Sequence, residues 1–253
     1  MGDQACKAKP TEKMHTMKIA LLRVGIDTGS GGIHGPLFRD SSFEYIPIPD
    51  NRIRDQRTYG TVMGTHGRPL VDYFPRSRRP RMHDQSVHDD PEFSTFTYGD
   101  PARHKVSLSS LKNGDILAFY SGLQGWEFED EPALYLIGYF EVIVAGSACD
   151  FTEPEIIDLF AENFHVRHES IYRDQREKLI LVRGSDNSRL LERAHKISTV
   201  GTDRAGQRLK ILSPEMQGIF GTFGGRNSIQ RSLPRWVDED HTPIAAKYIR
   251  SLR

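Results

Sequence analysis

The chain has 253 residues, enough for one large domain or two small ones with a buried core, so stability needs no covalent staple. Its 34 Lys and Arg balance 34 Asp and Glu, which excludes holding a polyanion by bulk charge and leaves that work to local patches. The two cysteines, Cys6 and Cys149, support neither a disulfide framework nor a cysteine zinc site, and no apolar run nears the roughly 20 residues of a membrane span; a cytoplasmic protein is expected.

Residues Met1 to Thr16 are polar and aperiodic and read as a disordered leader, leaving residues 17–253 as one domain. Lys18 to Val24 is a near-continuous apolar run that predicts a buried strand, followed by a glycine-rich loop from Gly25 to Pro36. Phe43 to Pro49 alternates apolar residues with others and ends in prolines, as an edge strand would. Asn51 to His104 lacks a sustained period but is rich in aromatics, which predicts an ordered surface built of loops. Asn113-Gly114-Asp115 is a turn signal that leads into a strand, Ile116 to Tyr120, and a second strand, Leu134 to Val144, should pair with it.

Thr152-Glu153-Pro154-Glu155 is a capping box with proline in the first turn, and Ile156, Ile157 and Phe160 then form one apolar helix face. Leu179 to Val182 reads as a strand, Ser188 to Ile197 as a helix, Gly218 to Arg235 as a Gly- and Arg-rich loop, and Ile244 to Leu252 as a short helix. The fold class expected is α+β, a mixed or antiparallel sheet with helices packed on it and long ordered loops.

The stretch Val24 to Phe38, containing Asp27-Thr28-Gly29-Ser30-Gly31-Gly32-Ile33-His34-Gly35, resembles the opening of the third nucleotide-modification-associated domain family. Asp90-Pro91-Glu92-Phe93 with Thr97-Tyr98-Gly99-Asp100, Gly114-Asp115 into Phe119 to Leu123, and Arg226-Asn227-Ser228 with Pro234-Arg235-Trp236 are similar to it too, so the resemblance spans Met17 to Trp236. It implies a place in systems that make, read or attack modified bases, with DNA as partner. The strand pair within residues 113–145 also resembles the β-barrel of base-reading PUA and EVE domains.

From the residues themselves, Asp27 follows a buried strand and opens a loop with four nearby glycines, where backbone can approach a ligand closely; it can equally cap a turn through its own amides. His34 can assist it or simply be solvated. Ser30, Gly31 and Gly32 are candidate substrate contacts, as are Tyr98 and Asp100. His83, Asp84, His88, Asp89 and Asp90 carry metal-binding atoms at a spacing that matches no standard motif, and His165 and His168 read as favourable charges at a helix end. No metal or cofactor is therefore expected. Arg76, Arg78, Arg79 and Arg81, among prolines, suit phosphate tracking or a solvated charge run, with Arg231 a further backbone contact. Arg226, Asn227 and Ser228 after two glycines can hold a phosphate or read a base edge, and Tyr59, Tyr98 and Trp126 can stack on an extruded base or fill a core.

One loop carboxylate without a metal matches hydrolysis of the base–sugar bond, which breaks through a cationic sugar. The expectation is a DNA glycosylase directed at modified bases such as those of phage genomes, with Asp27 central and His34 assisting. A non-catalytic reader of modified bases and a base-modifying transferase, with the glycine loop holding a nucleotide donor, are the alternatives.

Overall fold

The computed structural model describes residues 15–202 and 205–253; residues 1–14, most of the expected leader with Cys6, lie outside them. The first apolar run forms β1 (Ile19–Arg23), buried through its first four residues. β2 (Gly35–Leu37) and β3 (Ile48–Asp50) are short. Pro47 and Pro49 have no N–H to give a ladder, so the strand expected over Phe43 to Pro49 contracts to β3, with a lone bridge from Phe43 to Leu37. β4 (Ser86–His88) pairs antiparallel with β3, and β5 (Thr97–Asp100) joins the main sheet.

β6 (Ile116–Gly125) and β7 (Ala133–Ser147) pair antiparallel as the sequence predicts and make the sheet's centre. The first eight residues of β6 are all buried, because both faces of the sheet are covered. β8 (Ile180–Gly184), β9 (Arg189–Lys196) and β12 (Arg235–Trp236) complete the sheet in the order β12-β1-β6-β7-β8-β5, with β2 on β6 and β9 on β7. Only the β1–β6 and β2–β6 pairs are parallel, which makes the fold α+β with a mostly antiparallel sheet. The structure corrects the barrel resemblance: the strand path runs open from β12 to β5, which do not pair among the described residues.

The segment expected as a helix over Ser188 to Ile197 is β9. Between the pairs Gly138↔Leu190 and Leu136↔His195 the register shifts, β9 advancing five residues while β7 advances two. That irregularity turns Leu191 and Ala194 inward at a spacing of three, which imitates a helix in the sequence. A hairpin of β10 (Ser198–Thr202) and β11 (Arg208–Leu212) follows, mostly exposed and with little apolar pattern to announce it.

Helix α1 (Arg79–Met82) is one turn; α2 (Glu153–Phe160) carries the expected capping box, with Glu155 Oε2 accepting from Thr152 N at 2.7 Å. Ile156 and Phe160 are buried but Ile157 faces solvent. α3 (Phe164–Arg167) and α4 (Glu169–Gln175) follow. α5 (Pro214–Phe220), capped by Ser213, occupies the start of what read as a loop, and α6 (Thr242–Ser251) ends the chain's elements, packing on α5 and β1. Beside the main core, Ile26, Tyr59, Leu70, Phe74, Met82 and Val87 with their neighbours form a second apolar cluster under the aperiodic region, which gives those loops their order. No helix of the described residues is long and apolar enough to cross a membrane.

Candidate functional site

At the C-terminal end of β1 the chain enters a cleft of about 940 Å³, whose walls come from the Asp27 loop, the end of β3, the segment from His88 to Lys105, His165 and the stretch Gln230 to Leu233. Its size is that of small-molecule and nucleotide sites. Asp27 is on the wall, with a side chain 26% exposed. Its Oδ1 accepts from Gly29 N at 2.7 Å, Ser30 N at 2.8 Å and Ser30 Oγ at 3.0 Å, and its Oδ2 lies 3.1 Å from Arg23 Nη2. Burial pushes this carboxyl up, but the Arg23 guanidinium and the hydrogen bonds from Ser30 and Gly29 outweigh it and hold the group below its ordinary value. Asp27 thus caps its own turn and presents a fixed negative charge to the cleft.

The glycines of the loop serve packing rather than phosphate. Ser30 N and Gly32 N donate to Asp27 O, and Gly29 N goes to the Asp27 side chain, so these amides are spent inside the turn. A Cβ on Gly31 would strike the Ile26 side chain, and one on Gly32, where φ is +80°, would strike the Arg78 guanidinium. His34 lines a neighbouring hollow with Lys210 and Leu134; Arg23 lines both, and His34 makes no hydrogen bond to Asp27. Burial, with Arg23 next, lowers the His34 pKa, and its Nδ1 is buried without a partner among the described residues.

The arginine stretch adjoins the cleft through a hollow of about 380 Å³ lined by Gly31, Arg78 and Arg81, which shares Pro49 and Asn51 with it. Arg78 Nη1 donates to Gly31 O at 3.2 Å, and Arg79 donates to Phe74 O at 3.0 Å and to Asp72 O at 2.6 Å, so both have structural duties. Arg76 and Arg81 are exposed, with no side-chain hydrogen bond or ion pair among the described residues. If these two side chains track nucleic-acid phosphate, replacing Arg76 and Arg81 together by alanine weakens binding to every duplex sequence alike and lowers the slope of log affinity against log salt by about 1 to 2. An unchanged slope in a salt titration would remove this patch from the interface.

Arg226, Asn227 and Ser228 lie outside the cleft: Arg226 N closes a turn on Thr222 O, Asn227 O accepts from Leu212 N, and Ser228 bridges Ile211. They hold up the rim that follows, of which Arg231 is part. Tyr59 is fully buried, its hydroxyl donating to Pro47 O at 2.7 Å, which leaves no ring face for a base and corrects its expected stacking role. Trp126 packs on Tyr73 against the second core. Tyr98 and Asp100 do line the cleft, but the Tyr98 ring rests on Phe119 and its hydroxyl is spent on Asp100 Oδ2 at 2.9 Å.

Several cleft residues escaped the sequence. Lys105 is on the 3₁₀ helix Arg103–Ser110, almost wholly buried, 4.0 Å from Asp100 Oδ2. Burial lowers its amine to about 8, against the opposing pull of Asp100 and Asp90. Between pH 8 and 10.5 the unfolded chain binds this proton and the folded one does not, so the folded state gains as pH rises through that window. Lys105→Met is expected to stabilise the protein by on the order of 1–3 kcal/mol at pH 7, a gain that fades toward pH 10.5, as urea unfolding at several pH values would measure. A constant gain at all pH values would contradict the cause given.

Asp50 and Arg52, at the end of β3, form an ion pair on another wall. Of the scattered metal-binding types, His83 pairs with Asp84 on the surface and Asp89 with Arg57, whereas His88 and Asp90 meet His165. His165 and His168 straddle the end of the single-turn α3 as the sequence suggests, His165 within the turn and His168 at the α3–α4 junction, 3.2 Å from Asp55. The model of nucleotide modification associated domain 3 matches residues 18–246 of the chain. No curated protein and no solved structure matches it.

Proposed function

The chain belongs to the nucleotide modification associated domain 3 family, and from that membership and the cleft we propose that it processes modified bases in DNA by hydrolysing the base–sugar bond. The observation that carries this reading is Asp27, an ionised carboxylate fixed by its own turn on the wall of a cleft large enough for an extruded nucleotide. As the base departs, positive charge develops on the sugar, and a preorganised anion beside it lowers the barrier. A carboxyl held below its ordinary value is a poor proton acceptor, so the task of Asp27 is to stabilise that charge and orient water rather than to abstract a proton. Arg23 and Arg231 on the cleft and Arg81 in the adjoining hollow supply cations for the flanking phosphates, with the exposed Arg76 in the same stretch as Arg81, and these contacts offset the few kcal/mol that extruding a base costs.

A nucleotide-donor transferase fits less well. The amides of Gly29, Ser30 and Gly32 are spent inside the turn, and the carboxylates Asp27, Asp50, Asp90 and Asp100 line the same cleft, a poor host for a polyphosphate. Modified phage genomes are the substrate expected, which would make the activity a defence. The test is to incubate the protein with unmodified DNA and with DNA containing glucosylated hydroxymethylcytosine, then to score alkali-labile abasic sites. Sites in the modified DNA alone support base release. Selective, salt-dependent binding without sites would make the protein a reader, and chemistry that requires an added nucleotide would make it a transferase.

A further inference from the structure

His88 at the end of β4, Asp90 two residues on, and His165 in the first turn of α3 bring three metal-binding side chains together at the cleft, their donor atoms all within 4.8 Å of one another. Each imidazole is oriented by something behind it. His165 Nδ1 is 2.6 Å from Gln175 Oε1, an oxygen that only accepts, so Nδ1 carries a hydrogen and Nε2 is the ring atom that can ligate a metal. His88 Nδ1 faces Asp50 Oδ2 at 3.6 Å, an oxygen held by Arg52, and the His88 ring is stacked on Phe164 with centroids 3.9 Å apart. The two Nε2 atoms lie 3.1 Å apart, and Asp90 Oδ2 is 3.4 Å from that of His165. Gly99 N also donates to the Asp90 carboxylate.

Two imidazole nitrogens and a carboxylate oxygen gathered at one place make a donor set that a single cation can occupy. Metal bonds of about 2.1 Å put neighbouring donors roughly 3.0 Å apart at octahedral angles and about 3.4 Å at tetrahedral ones, the spacings His165 Nε2 has to His88 and to Asp90; the His88 and Asp90 donors lie within 4.8 Å and close on the ion by side-chain rotation. A ring nitrogen tied back to an amide oxygen, as His165 Nδ1 is to Gln175, is an arrangement that fixes a metal-ligating histidine. We infer that His88, Asp90 and His165 bind one divalent first-row transition ion, with its remaining positions open to the cleft.

Two imidazoles with one carboxylate favour zinc, iron, cobalt or manganese over calcium or magnesium, and three protein ligands leave room for water or a substrate oxygen. This departs from the sequence expectation of no metal, and it holds whether or not the cleft releases bases. The motif was invisible because His165 follows His88 by 77 residues.

The test uses the full chain, stripped with chelator, dialysed and titrated with Zn²⁺ by calorimetry and with Co²⁺ by visible absorption. One equivalent of each is expected, with cobalt d–d bands that mark nitrogen and oxygen ligands. His165→Ala should lose at least 100-fold in affinity, and Gln175→Leu, which leaves all three ligands in place, should lose about 10- to 100-fold. His83→Ala, on the exposed pair, should bind as the parent does. Circular dichroism keeps a misfolded variant from counting, and Gln175→Leu serves if His165→Ala does not fold. Failure of the parent to take up either ion, or uptake indifferent to both His165→Ala and Gln175→Leu, would overturn the site and leave a shared proton between the two rings.

Discussion

Asp27→Asn is expected to lower the rate of base release by about 10²- to 10³-fold, or ~3–4 kcal/mol of transition-state stabilisation, while DNA affinity stays within a few-fold of the parent. The substitution is nearly isosteric. An amide oxygen can still accept from Gly29 N and Ser30 N, so the turn survives, but the charge is gone and an amide now faces Arg23 where Oδ2 stood. Single-turnover abasic-site formation and a binding titration on the same DNA separate chemistry from affinity. The pH dependence follows from the direction of the shift: a carboxyl held below 3.8 stays ionised across the neutral range, and its contribution disappears only as pH falls through that lowered value. A variant that released bases at the parental rate would remove Asp27 from the reaction, and with it the observation on which the functional reading stands.

Asp115→Asn is expected to destabilise the fold by about 2–4 kcal/mol in urea unfolding, a large effect for a change of one polar atom. Asp115 is wholly buried between the starts of β1 and β6. Its Oδ1 accepts from Lys18 N at 2.8 Å and pairs with His15 Nε2 at 2.7 Å, while Oδ2 accepts from Lys112 N at 2.8 Å. An asparagine must turn its NH₂ toward one of these donors, leaving two hydrogens opposed at a buried side chain and a part-buried backbone N–H without its acceptor. A change under about 0.5 kcal/mol would mean that the parallel pair is held by its apolar residues alone.

What the sequence disclosed follows from how local its signals are. β1, the β6–β7 pair and α2 were legible because a continuous apolar run and a capping box are complete within a few residues. β9 imitates a helix because its inward residues are set by an irregular register with β7, a partner some fifty residues away. Ser213 before Pro214 is a start signal for α5, masked by the glycines that follow. In the site, Asp27 could be found because a carboxylate closing a buried strand is a local pattern. Lys105 could not, since nothing beside it in the chain tells that the 3₁₀ helix packs on β7 and β8. Tyr59 shows the reverse error, an aromatic in a loop-rich stretch that belongs to the second core.

The placement of β1 between β6 and β12 bears on how the protein comes to be made. A ribosome extends the chain by about 5–20 residues each second, so roughly 5–20 s pass between release of Ile19 and synthesis of its partner Ile116, and Trp236 arrives later still. Throughout that interval an oily pentapeptide with nothing to lie against is open to capture by a chaperone or by another nascent copy. Yield on expression should therefore respond more to slower synthesis or chaperone supply than the finished molecule's stability would suggest.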